Sequence, residues 1–432
     1  MNANAQGEST DTLIKAGGTV FFAACLWFGY ELNASTHLAV SHLASVLFLA
    51  FSVGVVLIRR TIAWRRPWGT NTQLILIVSF SLYIIARLLQ SIHNDFFWGQ
   101  ALKLALIAVV FWSYKTLDPS GRALKFWLFA MPALLAGCIL FGLVISAFSG
   151  TLLVERLRVG PNDYEYVAEY SCHMLPLILY SLESAQSKTL KVCGIAVAIT
   201  LLAGLAFAGS RASVAGGLIA ISTYGFLARR RLGRKLIGAV GAILLLSILG
   251  TSIIGAQRSD IASGSLDDQT GLNQLTSGRF ANWAFEFEQV TQDNKTVLFG
   301  TGLGRYAEWV PEDGGFYRTA IVNSLLAAWT PFGLIGLAAY LFLYYYLWNR
   351  ISAIPRGRFR CMVVSLFLAF VFTDQFETHW QGTKMLWFVS FVLYLFTLAR
   401  PPLPDIVRKY RLLPRPRKPI FSYARKLDEQ PT

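Results

Sequence analysis

Eleven cations stand apart from the basic clusters of this 432-residue chain: Arg87, Lys103, Arg156, Arg158, Arg211, Arg258, Arg279, Lys295, Arg305, Arg318 and Lys384. An arginine stays protonated at any working pH, and its planar fork can grip two oxygens of one phosphate. Arg211 is the sharpest case. The segment Ala208-Gly209-Ser210-Arg211-Ala212-Ser213 interrupts a long apolar run that must turn round, and its small residues permit a tight hairpin with the arginine at the tip. The competing reading is an arginine that caps helix carbonyls at the turn. Arg156 and Arg158 flank Leu157 just before Gly160-Pro161-Asn162, and Arg258, Arg279, Lys295, Arg305 and Arg318 share one polar interruption, 255–321. Such a gathering of cations suits an anion. Snorkelling of single long side chains toward lipid headgroups is the bland alternative, strongest for Lys103 and Lys295.

The elements that position these groups are membrane helices. Apolar residues make up 54% of the chain, charged ones only 15%, and the mean hydropathy is +0.48, which excludes an ordinary soluble domain. Twelve apolar stretches run over 16–34, 38–58, 72–89, 98–113, 126–148, 164–182, 192–208, 212–228, 236–254, 322–348, 361–376 and 385–399. Each approaches the roughly 20 residues that a helical span needs, whereas barrel strands would alternate over about ten. Counted over alternate loops, 28 of the 39 basic residues fall on one side, which makes that side and both termini cytoplasmic. Most of the +15 net charge is therefore a topology signal, and no nucleic-acid partner is implied. The predicted fold is all-α and polytopic, with about 12 transmembrane helices, a cytoplasmic N-terminus (1–15), a membrane domain (16–399) and a basic tail (400–432) able to touch membrane lipids. The residues 255–321 form a large outer loop between spans 9 and 10. Met1–Thr12 is polar without a basic start, so the first span reads as an uncleaved anchor. The five cysteines lie in or beside apolar runs without paired spacing, which argues against a disulfide framework or a zinc site.

In chain order, several short motifs can be set out: Glu155-Arg156-Leu157-Arg158-Val159-Gly160-Pro161-Asn162, the Gly209-Ser210-Arg211 hairpin, Ser277-Gly278-Arg279 with Trp283, Gly300-Thr301-Gly302-Leu303-Gly304, Asn323-Ser324-Leu325-Leu326 and Gly333-Leu334-Ile335-Gly336. Together they resemble the O-antigen ligase and Wzy polymerase superfamily of bacterial membrane glycosyltransferases, over roughly residues 150–345. The resemblance implies an inner-membrane enzyme whose active site faces the periplasm, where a glycan moves from undecaprenyl pyrophosphate to an acceptor hydroxyl. Pyrophosphate leaves readily once its charge is stabilised, so no nucleotide sugar and no cofactor is implied. Arg211 and Arg279 match the family's two essential arginines, with Arg156, Arg158, Asn162, Arg305, Arg318 and Asn323 assisting with pyrophosphate or glycan. One departure separates the two branches. Ligases carry a histidine eleven residues before the glycine of the next helix, and Val322 stands there in this chain. A valine cannot take a proton, so a polymerase of lipid-linked repeat units is the better fit, similar to exopolysaccharide polymerases of the xanthan type. A chain-length regulator is the protein partner that such a role would bring.

Another group must then position or deprotonate the acceptor. The Asp374-Gln375-Phe376-Glu377-Thr378-His379 segment breaks the last apolar hairpin with three ionisable groups, which is costly beside a membrane without a role. Asp374, Glu377 and His379 are the candidates, against the alternative of an ordinary polar turn. Glu308 is interleaved with Tyr306 and Trp309, whose aromatic faces suit sugar rings and equally suit interfacial packing. Asp163-Tyr164-Glu165 supplies too few oxygens for magnesium, and no metal is expected. Three other readings remain open: an O-antigen ligase acting on a lipid A core, a transporter or flippase of lipid-linked oligosaccharide, and a structural subunit of a secretion complex. Two six-span halves of a transporter should show similar breaks; here only the second half carries a long outer segment.

Overall fold

The computed structural model describes residues 3–27, 31–33, 38–59, 95–117, 119, 121–150, 157, 164–228, 279–302, 323–376 and 386–398. Among them the chain is helical apart from a short antiparallel ribbon, β1 (Glu31–Asn33) with β2 (Leu38–Ala39). Twelve helices are described: α1 (Ala3–Trp27), α2 (Val40–Arg59), α3 (Asp95–Leu117), α4 (Gly121–Phe148), α5 (Tyr164–Ser184), α6 (Lys188–Ala208), α7 (Arg211–Leu227), α8 (Arg279–Thr291), α9 (Asn294–Phe299), α10 (Ser324–Ser352), α11 (Arg358–Thr373) and α12 (Leu386–Thr397).

Ten of the twelve apolar stretches fall on helices; 72–89 and 236–254 lie outside the described residues. The count of helices nevertheless does not equal the predicted count of spans. Among the described residues, three helices are long and apolar enough to cross a membrane: α4, α6 and α10. Both α8 and α9 belong to the 255–321 segment and are too short to span, so that segment is partly helical. The helix α1 also begins well inside the polar 1–15 segment, at Ala3. Large apolar side chains on these helices point away from the protein: Phe148 is 90% exposed, and Phe141, Val192, Ile199 and Phe342 are exposed as well. A surface of that kind is stable where lipid covers it.

Two packed groups make the core. Aromatic rings join α1, α3, α4 and α12, with Phe22 edge-on to Trp127 at 5.6 Å and Tyr114 stacked on Tyr394 at 5.6 Å. The second group is α5, α6, α7 and α11, and Trp387 ties the two together by donating to the Tyr170 hydroxyl at 3.1 Å. Small residues let helices of the second group approach closely. A Cβ on Gly216 would stand 2.5 Å from Thr373 Cγ2 and 2.9 Å from Cys172 Sγ.

The ends of this second group can be assigned. Glu183, at the end of α5, accepts from the Tyr224 hydroxyl near the end of α7 at 2.7 Å and lies 3.4 Å from Arg358 Nε at the start of α11. Those three ends share one face of the bundle. The starts of α5 and α7 and the end of α11 therefore share the other, and that face carries Arg211.

Candidate functional site

At the Arg211 face the predicted hairpin is present and tight. Gly209 closes α6 in the left-handed conformation (φ 70°), and Ser210 caps α7 by accepting from the Ser213 N–H. The Ser213 hydroxyl donates back to Ser210 at 3.1 Å, and both serines are buried. Arg211 is the first residue of α7 and is exposed. It sits at a helix start, where unpaired N–H groups and the helix dipole already favour an anion. Leu157, the residue between Arg156 and Arg158, is buried and donates its N–H to the Phe207 carbonyl at 3.1 Å. That bond fastens Leu157 to the end of α6, two residues from Gly209. Arg156, Arg158 and Asn162 themselves lie outside the described residues.

A second assembly forms around α10. The predicted continuous span 322–348 is broken, because Gly333 takes φ 66° and ψ −164°, a conformation essentially restricted to glycine. In a straight helix Ser324 and Tyr340 would be about 24 Å apart, too far to reach one carboxylate. Here both do. Asp374, fully buried where α11 ends, accepts from the Ser324 hydroxyl at 2.6 Å on Oδ1, and from the hydroxyls of Tyr340, at 2.5 Å, and Tyr344 on Oδ2. The Ser324 N–H also donates to the Asp374 carbonyl at 3.1 Å. Asp374 is thus a clasp that holds the two limbs of α10 against α11. With those lone pairs engaged, it is poorly placed to take an acceptor proton.

Asn323 is committed in the same way. Its Oδ1 accepts from the Leu325 and Leu326 N–H groups at 2.9 and 3.1 Å, capping α10, while Nδ2 donates to the Gln375 carbonyl at 3.1 Å. Asn323 therefore caps α10 and tethers it to the turn after α11. Behind the clasp, His173 Nε2 and the Thr373 Oγ1 hydroxyl are hydrogen-bonded at 2.9 Å, and both residues are fully buried.

The break at Gly333 brings two of the short motifs together. Pro331 lacks an N–H and the helix stops two residues later, so the carbonyls there need other partners. Thr301 N–H donates to the Thr330 carbonyl at 2.8 Å, and Gly302 N–H to the Pro331 carbonyl at 3.1 Å. The approach leaves no room for side chains, since a Cβ on Gly333 would stand 2.2 Å from the Leu298 carbonyl oxygen. Trp329 Nε1 adds a bond to the Val297 carbonyl at 3.1 Å. The Gly-Thr-Gly and Gly-Leu-Ile-Gly motifs are therefore two sides of one joint.

Across this joint lies α8, which opens at Arg279. Trp283 packs on Phe376 (5.6 Å between centroids) and Phe287 meets Trp329 edge-on (5.7 Å), so α8 spans from the turn after α11 to the first limb of α10. Between these anchors Glu286 is buried, 7% exposed, and desolvation pushes its carboxyl up to about 8. Among the described residues, Glu286 Oε2, Trp283 Nε1 and Thr330 Oγ1 are buried without a hydrogen-bond partner. Each such group costs roughly 1–3 kcal/mol while it is unpaired. Sequence reading passed over Glu286. The available signal was periodicity, because Trp283, Glu286 and Val290 form one stripe of α8, with a carboxylate where an apolar residue would be ordinary.

The remaining predicted residues, Arg305, Tyr306, Glu308, Trp309, Arg318, Glu377 and His379, lie outside the described residues, and so does the Arg279 side chain. Among the described residues no three of His, Cys, Asp and Glu gather closely enough to hold a metal ion. The chain matches no family model and no curated protein.

Proposed function

We propose that this chain is a Wzy-type polysaccharide polymerase of a bacterial inner membrane, which joins undecaprenyl-pyrophosphate-linked repeat units on the periplasmic side. The observation that carries the reading is the assembly, at one end of the bundle, of elements far apart in sequence: the Ser-Arg hairpin, Leu157 fastened to the end of α6, the Asp374 clasp and the helix opened by Arg279. Gly216 packs on Thr373 five residues into α7, so Arg211 stands about 7.5 Å further toward that end than the level of the clasp. Arginines of this kind suit the charge that accumulates as the C1–O bond to pyrophosphate breaks. The basic turns support the orientation, since Arg358 and Lys188 lie at the opposite end with Glu183.

Reconstitution of the purified chain with lipid-linked repeat units extracted from a host strain lacking it tests the reading. A ladder of repeat-spaced products is expected. Transfer to a lipid A core without self-extension would identify a ligase despite Val322, and movement of the lipid across the bilayer without any new glycosidic bond would identify a flippase.

A further inference from the structure

The chemistry of glycosyl transfer needs a group that removes the acceptor's proton, and the chain has valine where a ligase has histidine. We infer that Glu286 is the general base for the attacking hydroxyl, with the Trp283 indole N–H holding the same acceptor sugar. This inference rests on the polymerase reading and names the acceptor subsite within it.

Three observations converge on this place. Glu286 and Trp283 lie three residues apart on one face of α8, the glutamate buried and the tryptophan half-buried with its Nε1 enclosed, one offering an acceptor and the other a donor that nothing among the described residues satisfies. On the first limb of α10, Trp329 packs on Phe287 of the same helix as Glu286, and its neighbour Thr330 carries a further buried hydroxyl without a partner among the described residues. Native structures retain buried polar groups of this sort where a polar molecule completes them, and a sugar hydroxyl both donates and accepts. The position also fits the donor. Arg279 opens the same helix two turns before Glu286.

Of the three candidates in the 374–379 segment, Asp374 is the one among the described residues, and it is occupied. Asp374 spends its oxygens on Ser324, Tyr340 and Tyr344. Desolvation raises the Glu286 carboxyl to about 8, which makes its ionised form a stronger base than an ordinary glutamate. Burial alone raises its carboxyl, and the described anchors of its helix are neutral rings, Trp283 on Phe376 and Phe287 on Trp329. Glu288 points to solvent, and Asp293 and Lys295 are exposed on the neighbouring α9. In the step itself the acceptor O–H bond breaks and its proton passes to the Glu286 carboxylate. The oxygen forms a bond to the anomeric carbon as the C1–O bond to the lipid pyrophosphate breaks, and the electron pair leaves on the pyrophosphate. Glu286 then returns its proton to water.

The test uses the full chain in lipid with the same extracted repeat units, comparing wild type, Glu286→Gln and the exposed-face control Glu288→Gln. Undecaprenyl pyrophosphate binding and the thermal midpoint are measured alongside. Glu286→Gln should lower chain extension by about 100-fold or more, keep undecaprenyl pyrophosphate binding, and not lower the midpoint, while Glu288→Gln extends normally. In wild type kcat/KM should rise about tenfold per pH unit up to about pH 8 and then level, and this rise should vanish in Glu286→Gln. Extension by Glu286→Gln within about threefold of wild type would overturn the role of Glu286 and leave the polymerase reading standing. Loss of lipid binding together with a lower midpoint would make Glu286 structural. A wild-type chain that extends nothing would overturn both readings together.

Discussion

Replacing Gly333 by alanine tests the joint on which the outer assembly rests. Its φ of 66° with ψ of −164° lies where an L-residue is strained by about 1–3 kcal/mol. The added Cβ would also stand 2.2 Å from the Leu298 oxygen and 2.5 Å from the Phe299 nitrogen, backbone atoms that cannot rotate away. Separating α9 from α10 to relieve this contact adds about 1–3 kcal/mol and weakens the bonds from Thr301 and Gly302 to the Thr330 and Pro331 carbonyls. The total, about 2–6 kcal/mol, should lower the thermal midpoint of the detergent-solubilised chain on the order of 5 °C. The same change at Gly137 is the control, because no atom lies within 4 Å of its added Cβ and alanine is the better helix former there by about 1 kcal/mol. Gly137→Ala should hold or raise the midpoint. A Gly333→Ala protein that melts with wild type would refute the broken helix and the joint built on it.

Asp374→Ala should destabilise by about 3 kcal/mol or more, since it orphans three hydroxyls at roughly 1–3 kcal/mol each; a denaturation midpoint equal to that of wild type would show that the clasp does not hold. Gly216→Ala, pressed against Thr373 and Cys172, should cost about 1–3 kcal/mol, and thermal melting beside wild type measures it. Glu286 is a carboxylate whose folded pKa is raised, so the folded state binds the extra proton and stability falls as pH rises from about 4.5 toward 8. The loss by pH 7 should be on the order of 3 kcal/mol, and Glu286→Gln should flatten it; a wild-type melting curve that does not shift across this range would contradict the dry environment assigned to Glu286.

The sequence pattern located most of the helices because their apolar runs end at residues with a definite local preference. Gly209 and Ser210 are a left-handed cap and an N-cap in direct succession, so the hairpin that places Arg211 could be read from six residues. The break at Gly333 could not. Its neighbours Pro331 and Gly336 are compatible with a continuous membrane helix, and what decides the bend is tertiary: the Asp374 carboxylate on one side and the α9 backbone on the other. Asp374 was visible as an ionisable group at a membrane edge, yet its partners lie 30 to 50 residues away in sequence. That distance hid its structural role. Asn323 is legible as part of a motif, but its capping of α10 and its bond to the Gln375 carbonyl depend on a turn that only the fold brings near. Glu286 was missed because a single carboxylate in an amphipathic outer helix looks solvated until the faces packed on it are known.

The central claim is that the arginines at one end of this bundle hold a lipid pyrophosphate through glycosyl transfer. Chain extension by Arg211→Ala and Arg279→Ala, reconstituted in lipid with extracted repeat units at saturating concentration, tests it most directly. Each variant should lose about 100-fold or more of the turnover, in line with removal of a group that stabilises developing charge. Product ladders of wild-type intensity from both variants would contradict the account.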